Sequence, residues 1–279
     1  ITYAQDAWRR LRKNPIAMAS IVVLVLMVVL VIFGPLLCGW EYDYMQPTLK
    51  NLPPSAEHWF GTDMLGRDIF ARVCVGGRVS LLIALVCTCV QVVVGCAYGG
   101  IMAYFGGWVD NIMMRVIEVM MSIPYLLVVI IVMMVLDNSV PSLLVALCVT
   151  SWCNTARAMR GVILQLKSSE YVMAAQSLGA PARRVILKHL IPNTIGILIL
   201  NTATSIPNYI FQESTLGFLG IGLQPPNTSL GVMISLGQAA MEFYPLQLIF
   251  PAAALVLIVL AFNLLGDGLR DALDPKLRK

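Results

Sequence analysis

Ile16-Ala17-Met18-Ala19-Ser20-Ile21-Val22-Val23-Leu24-Val25-Leu26-Met27-Val28-Val29-Leu30-Val31-Ile32-Phe33-Gly34-Pro35-Leu36-Leu37 is a run of 22 residues without Asp, Glu, Lys or Arg. As a helix it measures roughly 33 Å, the thickness of a bilayer's hydrocarbon core. A cleaved signal peptide has a shorter apolar core and a small-residue cleavage site, so a retained first span is expected. The chain begins at Ile1 rather than Met, and further residues are expected to precede it.

The composition extends that reading to the whole chain. Of 279 residues, 58% are hydrophobic and 12% charged. One or two soluble cores cannot hide so much apolar surface. Disorder needs the opposite balance. A net charge of +4, with scattered basic residues, argues against a nucleic-acid binder. An all-α, polytopic membrane protein remains.

Further charge-poor runs place spans near 80–103, 116–136, 141–161, 194–215 and 246–266, six in all. Pro124, Pro207 and Pro251 lie in or at the ends of spans, where neighbouring helices satisfy the freed carbonyls. Six spans put both termini on one side. With the N-terminus inside, the inner segments hold fifteen Lys and Arg. The outer ones hold only Lys50, Arg67, Arg72 and Arg78. This is a positive-inside pattern, predicting cytoplasmic termini.

The organisation follows. Residues 1–55 comprise a basic N-terminal segment, the first span and the start of an outer linker. Residues 56–78 form an outer amphipathic segment, 79–267 a core of five spans, and 268–279 a cytoplasmic tail. The outer stretch from Gly217 to Pro245 lacks Lys and Arg and carries the turn signal Gln224-Pro225-Pro226-Asn227. An ordered loop or re-entrant element is expected there.

Most of the seven cysteines sit in apolar runs and read as small packing residues. Cys38 and Cys74 fall on the outer side, where they could pair. No Cys/His spacing suits a metal, and Met is read as adaptable packing. Gly99-Gly100 and Gly106-Gly107 suggest close helix approach or turns.

The longest inner segment is residues 167–193. Ser168 or Ser169 suits an N-cap, with Glu170 in the first turn. Ala174, Ala175 and Leu178 form an apolar face of small side chains. Gly179 suits a left-handed helix end and Pro181 the start of a second helix. Arg183, Arg184 and Lys188 decorate that helix, and Pro192 is expected to end it.

This segment resembles the EAA loop of the membrane subunits of bacterial ABC importers. The family pattern is Glu-Ala-Ala, three residues, Gly, nine residues, Ile, one residue, Leu-Pro. Ala174-Ala175, Gly179 and Pro192 fall on it, and Ile191 replaces the Leu. Met173 stands where Glu is expected and His189 where Ile is expected. Glu170, one turn earlier, is placed to supply the charge. Trp8-Arg9-Arg10-Leu11-Arg12-Lys13-Asn14, the stretch from His58 to Asp68, and the stretch from Glu213 to Pro226 are similar to peptide-importer permeases of the DppC/OppC type.

The resemblance implies a type I importer permease fold and a division of labour. A second, homologous permease completes the pathway as a heterodimer. Two cytoplasmic ATPase subunits bind ATP and Mg, and an extracytoplasmic binding protein delivers a peptide or related small solute. The chain has no GxxxxGK[ST] phosphate loop, and neither an enzymatic activity nor a cofactor of its own is expected. The residues implied in ATPase coupling are Glu170, Met173, Ala174, Ala175, Leu178, Gly179, Arg183, Arg184, His189 and Pro192.

Glu118 and Glu213 are the acids closest to membrane depth and, with Gln224, are candidates for the pathway or outer gate. Asp137 and Glu242 read as solvated span ends. A secondary transporter would show inverted repeats and broken helices, and a channel a filter or charged ring. Neither pattern is visible. Uptake that vanishes without ATPase subunits separates the importer from both.

Overall fold

The structure, a computed structural model, describes residues 3–273, apart from the side chains at positions 3, 4, 6, 176, 182, 189, 191 and 192. The elements among the described residues are helical. In order they are α1 (Tyr3–Lys13), α2 (Pro15–Cys38), a 3-10 turn (Pro47–Leu49), α3 (Ile69–Phe105), α4 (Gly107–Ser122), α5 (Tyr125–Val135) and α6 (Val140–Lys167). Then come α7 (Glu170–Ser177), α8 (Ala182–Arg184), a π-turn (Val185–Leu190), α9 (Ile191–Phe218), α10 (Leu230–Ala240) and α11 (Leu246–Leu273).

By length and apolarity α2, α3 and α11 can cross a membrane, and the pair α4–α5 makes a fourth if counted as one span. Helices α6 and α9, of 28 residues each, are long enough but more polar. One span was expected near 116–136, but α4 and α5 meet at 82°. The reason is local. Ile123 is forced extended by the proline that follows it, which closes the helix at Ser122. Helix α3 starts at Ile69, well before the expected 80.

Two compact units are formed. The first comprises Ile1–Leu85, Leu136–Leu143 and Ala203–Lys279, and the second Val86–Val135 and Leu144–Thr202. In the first, Asn14 caps α2 by accepting from the amides of Ile16 and Ala17 at 3.1 and 3.2 Å, with Pro15 in the first turn. Gly39, left-handed at φ +71°, ends it. Helix α2 buries only Ala17, Ser20, Leu24, Val31 and Gly34. That seam has helical spacing, and the remaining apolar surface is open, as lipid-facing helices require. Helix α11 buries a matching seam of Pro251, Ala254, Ile258 and Ala261 and packs on α2.

The linker between α2 and α3 folds around buried polar groups. His58 Nδ1 lies 2.8 Å from Asp68 Oδ2. Asp63 accepts from Arg67 Nε at 2.8 Å. Arg72 Nη2 donates to Thr228 at 3.2 Å, and Gln247 Nε2 donates to Asn51 at 2.9 Å. Buried polar groups must be paired, and these pairs tie the linker to the starts of α3 and α11 and tie α3 to the segment just before α10. Cys38 and Cys74 are both free thiols.

In the second unit Gly99 lies against the backbone of Ala156, so a side chain there would collide with α6. Gln91 Nε2 donates to Thr155 across the same contact at 2.7 Å. Arg160 on α6 donates through Nε and Nη2 to both carboxylate oxygens of Asp110 on α4. That fork geometry is the strongest form of ion pair available to the two side chains.

Candidate functional site

Segment 167–193 is built on the second unit from Lys167 onward. Its Nζ donates to the Tyr104 carbonyl at 2.7 Å and sits 5.7 Å from the centre of the Tyr104 ring. That carbonyl is one of those a helix leaves unpaired at its end, and a cation there is favoured by the helix dipole. The end of α6 is thereby fastened to the end of α3.

Helix α7 follows. Ser169 heads it with its carbonyl, which accepts from Val172 and Met173 at 3.1 Å. The expected side-chain cap is absent: the hydroxyls of Ser168 and Ser169 donate back to Gln165 and Leu166. Both hydroxyls bond to carbonyls of the last turn of α6, and these bonds take the place of a cap on the new helix.

Val172 is the anchor that the sequence reading missed. It is fully buried with Met159, Ile163, Val185 and Leu190. Its neighbours Tyr171, Met173 and Ala174 are exposed, and Leu178 is 88% exposed. An apolar side chain so open at a helix end suits a protein contact.

Gly179 is left-handed at φ +78°. Ala180 N–H returns to the Ala175 carbonyl at 3.1 Å, closing a Schellman turn. Pro181 then accepts from the amides of Arg184 and Val185 at 2.9 and 3.1 Å, heading the second helix. Glu170, Arg183 and Arg184 are exposed.

The second helix corrects one expectation. It does not end at Pro192: α8, the π-turn and α9 run on without interruption. In an α-helix Val185 and Leu190 would point about 140° apart. The π-turn, with its i→i+5 bonding, turns both into one core, where each is fully buried. The turn widens the helix just before Pro192, so the proline's missing N–H does not break it. His189 lies in the π-turn and Pro192 in the first turn of α9; their side chains lie outside the described residues.

The three pathway candidates separate. Glu118 is exposed on α4 and pairs with Arg115 at 2.6 Å. Gln224 is exposed and donates to the Gly220 carbonyl at 3.2 Å. Glu213, in the first unit, is completely buried. Ser80 Oγ donates to its Oε2 at 2.6 Å, and its Oε1 has no hydrogen-bond partner. Among the described residues, no three His, Cys, Asp or Glu side chains gather as metal ligands.

Comparison with known proteins places these features. Residues 95–279 match the family model described as binding-protein-dependent transport system inner membrane component. Residues 2–54 match the N-terminal TM domain of oligopeptide transport permease C. The chain is 46% identical to the dipeptide transport system permease protein DppC of Bacillus subtilis, over 100% of this chain and 88% of that protein. It is 43% identical to the oligopeptide transport system permease protein OppC of the same organism, over 99% of this chain and 90% of that protein. In fold it is similar to a chain of the MetNI methionine ABC transporter in an inward-facing conformation. The TM-score is 0.57 at 17% identity, covering 72% of this chain and 96% of that one.

Proposed function

The chain belongs to the binding-protein-dependent transport system inner membrane components, and from that premise we propose how it works. It is a multi-pass membrane protein and a permease subunit of an ATP-driven importer, in a family of transporters rather than catalysts. Its solute is a dipeptide, an oligopeptide or a related small molecule, a reading supported by its similarity to both DppC and OppC. Six helices cross the membrane with both termini cytoplasmic, supported by the fifteen-to-four basic asymmetry.

Segment 167–193 is the coupling element, seated in a cleft of a cytoplasmic ATPase subunit. The observation that carries this reading is the contrast between Val172 and Leu178. One face of the helix pair is fixed in the permease core, while Leu178, Ala174 and the charges of Glu170, Arg183, Arg184 and Lys188 are exposed. The π-turn joins this element to α9 as one helix, so a displacement of it is carried into the fifth span. ATP-driven closure then shifts the pathway between outward and inward access. Two ATPase subunits supply ATP and Mg chemistry, a second permease completes the pathway, and an outer binding protein delivers solute.

The test is uptake of labelled dipeptide and of a longer peptide into proteoliposomes holding the assembly that co-purifies with this chain. Uptake should require ATP and the ATPase subunits. Uptake by the chain alone would overturn the importer reading.

A further inference from the structure

We propose that α1 binds the anionic phospholipid headgroups of the leaflet at the N-terminal end of α2. The helix Tyr3–Lys13 is separated from the apolar α2 by Asn14 alone, so its C-terminal end stands within about one helical turn of the start of that span. Leu11 holds it there: the side chain is 4% exposed, packed on Ala17 of α2 and Ala272 of α11.

Fixing Leu11 inward decides what the rest of the helix presents. At 100° per residue, Trp8, Arg12, Arg9 and Lys13 follow one another around the arc away from Leu11. All four are exposed, Trp8 at 51%. Among the described residues no ion pair reaches Arg9, Arg12 or Lys13. The α11 carboxylates of Asp267 and Asp271 are exposed but do not pair with these three. Three cations that pair with no described carboxylate, beside an open indole and next to the start of an apolar helix, are complementary to phosphate headgroups over acyl chains. The indole sits at the interface and the cations meet the phosphates.

The experiment is native mass spectrometry of the full chain, released from nanodiscs holding equal phosphatidylcholine and phosphatidylglycerol. The wild type should retain phosphatidylglycerol preferentially. Arg9→Gln/Arg12→Gln/Lys13→Gln should lose the preference, by roughly fivefold in relative affinity per charge removed. Arg9→Lys/Arg12→Lys, which keeps the charge, should retain it, as should Arg183→Gln/Arg184→Gln on the exposed helix pair. Equal retention of both lipids by the wild type would overturn the proposal. So would an unchanged preference in the triple variant. If the triple substitution alters only recovery of partner subunits, the arc faces a protein and the proposal fails.

Discussion

Arg78 donates from Nε and Nη2 to the carbonyl oxygen of Val31, at 3.2 and 2.9 Å. That carbonyl has lost its helical partner because Pro35, four residues on, has no N–H. A guanidinium on α3 thus repairs the backbone of α2. Arg78→Leu should leave the carbonyl unsatisfied and cost about 1–3 kcal/mol. Pro35→Ala restores the N–H, so the double variant should recover part of the loss. Thermal unfolding of the detergent-purified chain reads both. Strictly additive effects would show that the two positions are not coupled as described.

Ser80 and Glu213 link α3 to α9 through a buried 2.6 Å hydrogen bond. Glu213→Gln keeps an acceptor of the same shape and should be mild. Glu213→Ala removes it and opens a cavity beside Ser80, and should cost about 2–4 kcal/mol. If Ala and Gln prove equally stable in urea or thermal unfolding, the bond contributes nothing.

How far these features were legible varies with their range. The apolar run 16–37 announces α2, because a span is built from neighbours in sequence, whereas its cap at Asn14 was not read from the sequence. Gly179 was equally readable, since only a left-handed residue satisfies the end of α7, and its φ is +78°. Val172 was not: it is one apolar residue among several, and its inward direction depends on Met159 and Ile163. Pro192 misled, because the rule that proline stops a helix ignores the π-turn before it. The Arg72–Thr228 bond joins residues 156 apart, and no local pattern signals it.

Gly99 and the thiols of Cys87 and Cys148 report one contact of α3 with α6. The two sulfurs are 3.7 Å apart. In a variant whose other five cysteines are serine, copper phenanthroline should form this crosslink within the chain, detected by peptide mass spectrometry. Gly99→Leu should abolish it, because its side chain would strike the Ala156 backbone. Efficient crosslinking in Gly99→Leu would contradict the packing.

Asp137 lies between α5 and α6, and hydroxyl donation from Ser139 and then Ser142 holds its carboxyl below the usual carboxylate range. A folded-state value below the unfolded one adds stability above the unfolded pKa, and that contribution is lost as pH falls through the folded value. Ser139→Ala/Ser142→Ala should raise the titration midpoint of Asp137 toward its ordinary value. Carbon-13 NMR of the labelled carboxyl measures it. An unmoved midpoint would discard the hydroxyls as the cause.

The proposed coupling element makes the sharpest demand on Gly179. A Cβ there meets no other atom within 4 Å, so crowding by neighbours is not the issue. The cost of a side chain is the backbone's: about 1–2 kcal/mol for an ordinary residue held at positive φ. Gly179→Val should therefore insert and purify normally, yet aim the second helix wrongly and lose transport, with ATP hydrolysis uncoupled. Gly179→Asn, which tolerates the left-handed region, should keep most activity. Leu178→Asp should leave stability within about 0.5 kcal/mol, as expected for an exposed position, but weaken recovery of the ATPase subunit on the purified chain. Peptide uptake, ATPase rate and subunit stoichiometry are read on the same preparations. Normal uptake by Gly179→Val, together with full ATPase recovery by Leu178→Asp, would place the coupling surface elsewhere on the molecule.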